Sequence, residues 1–229
     1  LEDVSGNNNY GSINNITRGV NGIVGIAYEY GGDENYIDIG SGVSNTFKEK
    51  SFTIFSWNNF SQGYILDCMK GDFEDEIRFL PNKVSYYDNE KTSTIFSDTD
   101  TKDGNWHNIV GTINSSTLSL YVDGNLEDTT DISNRGNLSL SRDTILGARY
   151  DGEGNISSDF AEGRQDHMLI YDTELTFNEI SALYDNTKSS PEFFSQQSSI
   201  NMINCFDEKG FKNVAPLKDD NFDKYFDNY

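Results

Sequence analysis

Asp103-Gly104-Asn105-Trp106-His107-Asn108-Ile109-Val110, followed by Leu118-Ser119-Leu120-Tyr121-Val122-Asp123-Gly124, decides how the rest of the chain is read. Apolar residues alternate with polar or small ones across Ile109 to Ile113 and Leu118 to Val122. A period of two is that of half-buried strands, and strands are predicted at His107 to Ile113 and Leu118 to Val122. Asp123-Gly124 is a hairpin-turn dipeptide, because both central positions of a tight hairpin need a positive φ.

The same punctuation runs in both directions. Short apolar runs bounded by Gly, Asn, Asp and Ser predict strands at Ile23 to Tyr30, Tyr36 to Ile39, Phe52 to Asn58, Tyr64 to Met69, Glu76 to Leu80 and Lys83 to Tyr87. Beyond the opening stretch, strands are expected at Thr144 to Ala148 and His167 to Tyr171. In Phe52-Thr53-Ile54-Phe55-Ser56-Trp57 the apolar residues are nearly continuous, which predicts a strand buried on both faces. One helix is legible: Thr176 with Glu179 three positions on is a capping box, and Ile180, Leu183 and Tyr184 follow at helical spacing, giving Thr176 to Asp185. Past Asn186 the texture changes. Ser189 to Ser199 is a Ser/Gln/Pro-rich linker, and Ile200 to Tyr229 scatters Phe206, Phe211, Phe222, Tyr225, Phe226 and Tyr229 among charges. The domains are therefore a sandwich over 1–187 and an irregular linker and tail over 188–229.

Several stretches, in order, resemble the laminin-G-like members of the concanavalin A-like lectin/glucanase jelly rolls. They are Asp3-Val4-Ser5-Gly6-Asn7-Asn8-Asn9-Tyr10-Gly11; Gly25 to Gly32 with Asn35-Tyr36-Ile37-Asp38-Ile39; Ser51 to Trp57; the opening pair of stretches; and Asp166-His167-Met168-Leu169-Ile170-Tyr171 with Leu175 to Ile180. The likeness spans residues 1 to about 187. It implies an all-β fold, a two-sheet antiparallel jelly-roll sandwich with one short helix and an irregular C-terminal tail. The chain departs from the family pattern at Phe160 to Asp166 and has no counterpart for its tail. It opens at Leu1, where the family usually has an earlier strand, so upstream sequence is expected. Fold alone does not assign function.

The 229 residues suit one sandwich with an appendage. A net charge of −21 argues against nucleic-acid binding, because a polyanion repels such a surface. The charge suits solubility, and it also suits capture of divalent cations. Cys68 and Cys205 lie far apart without metal spacing, which excludes a disulfide scaffold or a zinc ribbon but leaves one bridge open. No apolar run reaches the roughly 18 residues of a membrane span. No secretory signal pattern is present.

Catalysis is not expected. Hydrolytic sandwiches of this type place carboxylates as E-x-D-x-x-E on one strand, and no such spacing occurs here. Asp72-Phe73-Glu74-Asp75-Glu76 is nearest, and its alternation reads as an acidic loop and solvent face. His107 and His167 are expected to be structural, and Trp57 and Trp106 to be core. Calcium is the expected cofactor. Asp3 and Asn9 supply hard oxygens in a glycine-containing loop, and the resemblance lays that loop against the strand starting at Asp166, implying a structural Ca²⁺ on Asp3, Asn9 and Asp166. Asp151-Gly152-Glu153-Gly154-Asn155 is a second acidic glycine loop. A sugar site combines aromatic faces with Asn and Asp hydrogen-bonding groups. Tyr87, Asp88 and Asn89, and Tyr150 with Asp151, have that chemistry. The five N-x-S/T triplets, at Asn15, Asn59, Asn114, Asn137 and Asn155, are what a chain so rich in these residues produces by chance.

The expected function is non-catalytic recognition of a glycan or glycoprotein surface, in an extracellular, cell-surface or virion-surface setting. The alternative is a structural building block whose tail clamps neighbouring subunits.

Overall fold

The computed structural model describes residues 9–189 apart from 24, 72–73, 90, 152 and 157–158. Fourteen strands are seen among them: β1 Ser12–Asn14, β2 Thr17–Asn21, β3 Ile26–Gly31, β4 Tyr36–Asp38, β5 Phe52–Asn58, β6 Leu66–Met69, β7 Asp75–Leu80, β8 Lys83–Asp88, β9 Lys91–Phe96, β10 His107–Ile113, β11 Thr117–Val122, β12 Asn125–Asp131, β13 Ile145–Leu146 and β14 Glu162–Tyr171. A single helical turn, α1, spans Ser41–Ser44, and the helix α2 spans Phe177–Ser189. The linker and aromatic tail beyond 189 lie outside the described residues, as do Asp3 and Cys205.

The strands form two antiparallel sheets. Sheet A has the order β1-β4-β13-β6-β7-β8-β9, and sheet B the order β12-β11-β10-β5-β14-β3-β2. The result is a jelly-roll sandwich. Its core lies between the inner faces, where Leu66, Ile77, Phe79 and Tyr86 of sheet A meet Tyr30, Ile54, Ile109 and Leu120 of sheet B. Burying each such side chain stabilises the fold by about 1.5–3 kcal/mol. The sheets pack closely at Gly111, where a Cβ would stand 3.3 Å from both Phe79 and Val84 across the core.

Strand β5 is buried at all seven positions, as its continuous apolar run predicts. The half-burial expected of β10 and β11 needs correction: both are buried on both faces for nearly their whole length. The cause is α2, whose Ile180 and Leu183 cover Phe55, Val110, Tyr121 and Leu169 on the outer face of sheet B. The capping box forms as read. Thr176 N–H donates to Glu179 Oε2 at 2.6 Å, and Glu179 N–H donates to Thr176 Oγ1 at 3.4 Å. The helix runs on to Ser189, one turn past the expected end. Asp123 (φ 50°) and Gly124 (φ 78°) close the β11–β12 hairpin in the left-handed conformation the dipeptide implied. Strand β3 starts at Ile26 rather than Ile23, because Gly22 N–H turns back onto Gly25 O at 3.1 Å.

Candidate functional site

Strand alternation divides sheet A into a core face and an outer face. Leu66, Cys68, Ile77, Phe79, Val84 and Tyr86 point into the core. Their neighbours point outward, and the register sets them in two rows. One row crosses β6 to β9 as Asp67, Arg78, Ser85 and Thr94. The next crosses as Met69, Glu76, Tyr87 and Thr92. Ser85 and Thr94 share a hydroxyl hydrogen bond of 2.9 Å. This face is polar with one aromatic ring, Tyr87, half-buried among hydrogen-bonding groups.

The chain after β13 crosses the same face. Tyr150 packs its ring on Met69, Ile145 and Ala148, with the Arg142 guanidinium 5.9 Å from the ring centroid. Tyr150 N–H donates to Asp67 Oδ2 at 3.1 Å. Arg149 reaches the other way. Its Nε is 3.7 Å from Glu76 Oε1, its Nη1 is 3.7 Å from Asp159 Oδ2, and its guanidinium lies 5.9 Å over the Tyr64 ring. Arg78 pairs with Glu76 Oε2.

Asp67 and Glu76 are both fully buried, at 0% exposure. Burial pushes the Asp67 carboxyl well above the usual carboxylate range, and the Glu76 charge beside it adds to the rise. Asp67 Oδ1 and Glu76 Oε1 receive no hydrogen bond from any other described group. A proton on Asp67 directed at Glu76 would satisfy both oxygens, and burial beside the Glu76 charge favours that protonated form. This pair escaped the sequence reading, which sought carboxylates on a single strand, whereas these sit on neighbouring strands. The expectation that Glu76 belongs to a solvent face is corrected: Arg78 and Arg149 lie against it and it is wholly enclosed. A carboxyl pair so enclosed organises its surroundings; it does not flank an accessible bond.

Of the expected ligand residues, Tyr87 lies on this outer face directly across from Glu76. Asn89 is exposed at the β8–β9 turn with φ 48°. The Asp88 carboxylate accepts Gly136 N–H at 2.7 Å and lies 3.5 Å from Arg135 Nη1, so it ties the 133–144 loop to the sheet edge. Asp151 Oδ1 accepts the N–H groups of Asn155 (2.8 Å) and Glu153 (2.9 Å). Those bonds, the one from Asn155 foremost, hold its carboxyl below the usual range. Tyr150 is 6% exposed, so its ring belongs to the packing beneath the crossing segment and presents no open face.

Of the calcium set, Asp3 lies outside the described residues. Asn9 sets its Oδ1 against Gly42 of α1, where a Cβ would come within 2.3 Å. Asp166 is buried, and its Oδ2 accepts Ile23 N–H at 3.0 Å while its Oδ1 is 3.1 Å from His167 Nδ1. Among the described residues no group of three His, Cys, Asp or Glu side chains is placed to hold a metal. The described part of the set supplies one carboxylate, so any calcium there depends on Asp3. Cys68 is buried and has no disulfide partner among the described residues, and burial pushes its thiol up to about 12. No described helix is long and apolar enough to cross a membrane.

Comparison with known proteins agrees with the sandwich fold. Domain 4 of AbnA, a GH43 extracellular arabinanase from Geobacillus stearothermophilus solved in complex with arabinotriose, superposes with a TM-score of 0.64 at 15% identity, over 80% of this chain and 93% of that one. The binding domain of Paraclostridial Mosquitocidal Protein 1 superposes at 0.65 and 18% identity, over 80% of this chain and 48% of that one. The binding domain of Botulinum Neurotoxin DC in complex with SialylT gives 0.60 and 18%, over 82% and 49%. The chain thus spans about half the length of these two toxin binding domains and nearly all of the arabinanase domain. No protein of curated function matches the sequence. The family model Laminin_G_3 matches residues 31–181, more than half of the chain, which therefore belongs to the concanavalin A-like lectin/glucanases superfamily.

Proposed function

We propose that this chain is a non-catalytic carbohydrate-binding domain working outside the cell, and that its ligand lies on the outer face of sheet A around Tyr87. The observation that carries the proposal is the pair of rows on β6 to β9. Tyr87 offers a ring for a sugar face, beside Thr92, Thr94, Ser85 and Arg78, whose hydroxyls and guanidinium suit sugar hydroxyls. Structural relatives solved in complex with arabinotriose and with SialylT support the glycan class. Asn89 at the adjoining turn extends the surface. A structural Ca²⁺ on Asp3, Asn9 and Asp166 is kept as a separate proposal about stability.

The test is a glycan array that includes arabino-oligosaccharides, followed by calorimetric titration of any hit. Tyr87→Ala and Arg78→Ala are each expected to weaken binding about tenfold or more, since removing a buried-site contact of 1.4 kcal/mol is a factor of ten. Unchanged affinity in both variants places the ligand elsewhere on the sandwich and sinks the proposal.

A further inference from the structure

The segment over sheet A is joined to the sheet's polar face through one pair of side chains. Residues 148–151 form a strap. Polar links to the face beneath include the Tyr150 N–H to Asp67 Oδ2 bond and the Arg149 guanidinium beside Glu76 Oε1. The strap starts at Gly147, whose φ of 80° and close approach to the Tyr30 ring, 2.1 Å from where a Cβ would stand, make it a position that only glycine fits. Beside these links, Ala148 and Tyr150 of the strap pack on Met69 and Ile145, with Tyr36, Ile156 and Phe160 against the cluster.

We propose that Asp67 and Glu76 form a proton-operated latch: with one proton between them the strap lies closed on sheet A, and loss of that proton loosens the strap and uncovers the adjoining face. The proposal rests on that face being the ligand surface, and it adds a means of regulating it.

The groups around the pair decide the sign. Arg78 faces it from β7, Arg149 and Tyr150 from the strap with Asp159 behind Arg149, and Tyr64 from the loop before β6. Asp38 of β4, and Asp143 and Arg142 before β13, lie next to Tyr150 rather than the pair. Arg78 stands across from Asp67 and pairs through Nη2 with Glu76, and Arg149 is divided between Glu76 and Asp159. A second negative charge on Asp67 would have to share these cations, and the attraction of Arg78 does not offset burial beside the Glu76 charge. Ionised Asp67 would hold Tyr150 N–H more strongly, but that gain is smaller than the cost of an enclosed charge that must share its cations. Water is the remaining compensation, and the strap is what excludes it.

The experiment follows the Tyr150 amide by hydrogen exchange from acid to mildly alkaline pH, corrected for intrinsic exchange, in the full chain. In the wild type its protection is expected to fall, by up to about tenfold per pH unit, as pH rises from the ordinary carboxylate range through the window in which only the closed strap still holds the latch proton, and to level off once that proton leaves. In Asp67→Asn, which stays neutral, protection is expected to be flat. A flat wild-type profile, or an Asp67→Asn profile that falls like the wild type, overturns the latch. Should Asp67→Asn not fold, carbon NMR titration of the wild-type carboxyls decides: Asp67 titrating in the ordinary carboxylate range overturns the proposal, and titration well above it upholds it. Binding of arabinotriose and of array hits is measured over the same pH series. Falling protection with no glycan bound keeps the latch and removes the ligand reading. Glycan binding with flat protection does the reverse.

Discussion

Trp57 of β5 and Tyr184 of α2 stack with ring centroids 5.4 Å apart and planes 19° from parallel, and the Trp57 indole N–H donates to Thr187 Oγ1 at 2.8 Å. The helix is thus held to sheet B by a ring contact and a buried hydrogen bond at the same residue. Thr187→Val keeps the shape and leaves the indole N–H without that acceptor. It is expected to cost about 1–3 kcal/mol in urea unfolding. Tyr184→Ala removes the ring contact and should cost more than the roughly 0.5–1.5 kcal/mol of the aromatic pair, because apolar area is lost too. The two changes share Trp57, so their effects should fall short of additive in a double-mutant cycle.

Gly111 is the second place where one residue sets the fold. Its backbone is ordinary, and the constraint is the 3.3 Å approach to Phe79 and Val84 from the facing sheet. Gly111→Val must push the sheets apart or drive Phe79 off its rotamer. About 1–3 kcal/mol of destabilisation is expected. Thermal unfolding of Gly111→Val and Gly111→Ala checks this, and a valine variant as stable as the wild type would show the inter-sheet contact to be soft.

What the sequence revealed follows a physical line. Each strand it missed is an edge strand: β1 and β9 bound sheet A, and β12 and β2 bound sheet B. An edge strand needs little apolar surface of its own. Thr17-Arg18-Gly19-Val20-Asn21 and Asn125-Leu126-Glu127-Asp128-Thr129-Thr130-Asp131 are mostly exposed or half-buried, and their pairing partners supply the order. The interior strands carry their own signal, so Phe52–Asn58 and His107–Ile113 are found to the residue. The candidate site divides the same way. Tyr87 is legible as an aromatic beside hydrogen-bonding residues. The Asp67–Glu76 pair is not, because it arises from the register of β6 against β7 and from Arg149 arriving over both.

His107 carries a pH prediction. Its Nδ1 is 2.9 Å from Asp123 Oδ2 and its Nε2 is 3.2 Å from Asp103 Oδ1, so it ties the loop before β10 to the β11–β12 turn. Burial by itself lowers the affinity of the ring for its proton, but hydrogen bonds to the two carboxylates outweigh that and raise it above the ordinary value near 6.5. A group raised on folding contributes stability that is fully present below the unfolded value and is lost as pH rises through the folded value. The urea midpoint of the wild type should therefore decline from about pH 6.5 upward by an amount that His107→Gln lacks. Parallel profiles for the two proteins would mean that the ring is neutral in the folded state and that this tie is a plain hydrogen bond.

Calcium makes the last prediction, and the described residues sharpen it. Asp166 already spends one oxygen on Ile23 N–H, which fixes the turn between β2 and β3. Asp166→Asn should therefore loosen that turn whether or not a metal binds, and it is a poor test of the ion. Asp3→Asn is the better one, because the proposal depends on its carboxylate. Calcium at a hundred times its dissociation constant adds about 2.7 kcal/mol to a folded state that alone binds it. The expected result is a rise in the unfolding midpoint with calcium, reversed by chelator, that Asp3→Asn abolishes. A midpoint indifferent to millimolar calcium retires the ion, and leaves Asp166 as the anchor of a turn.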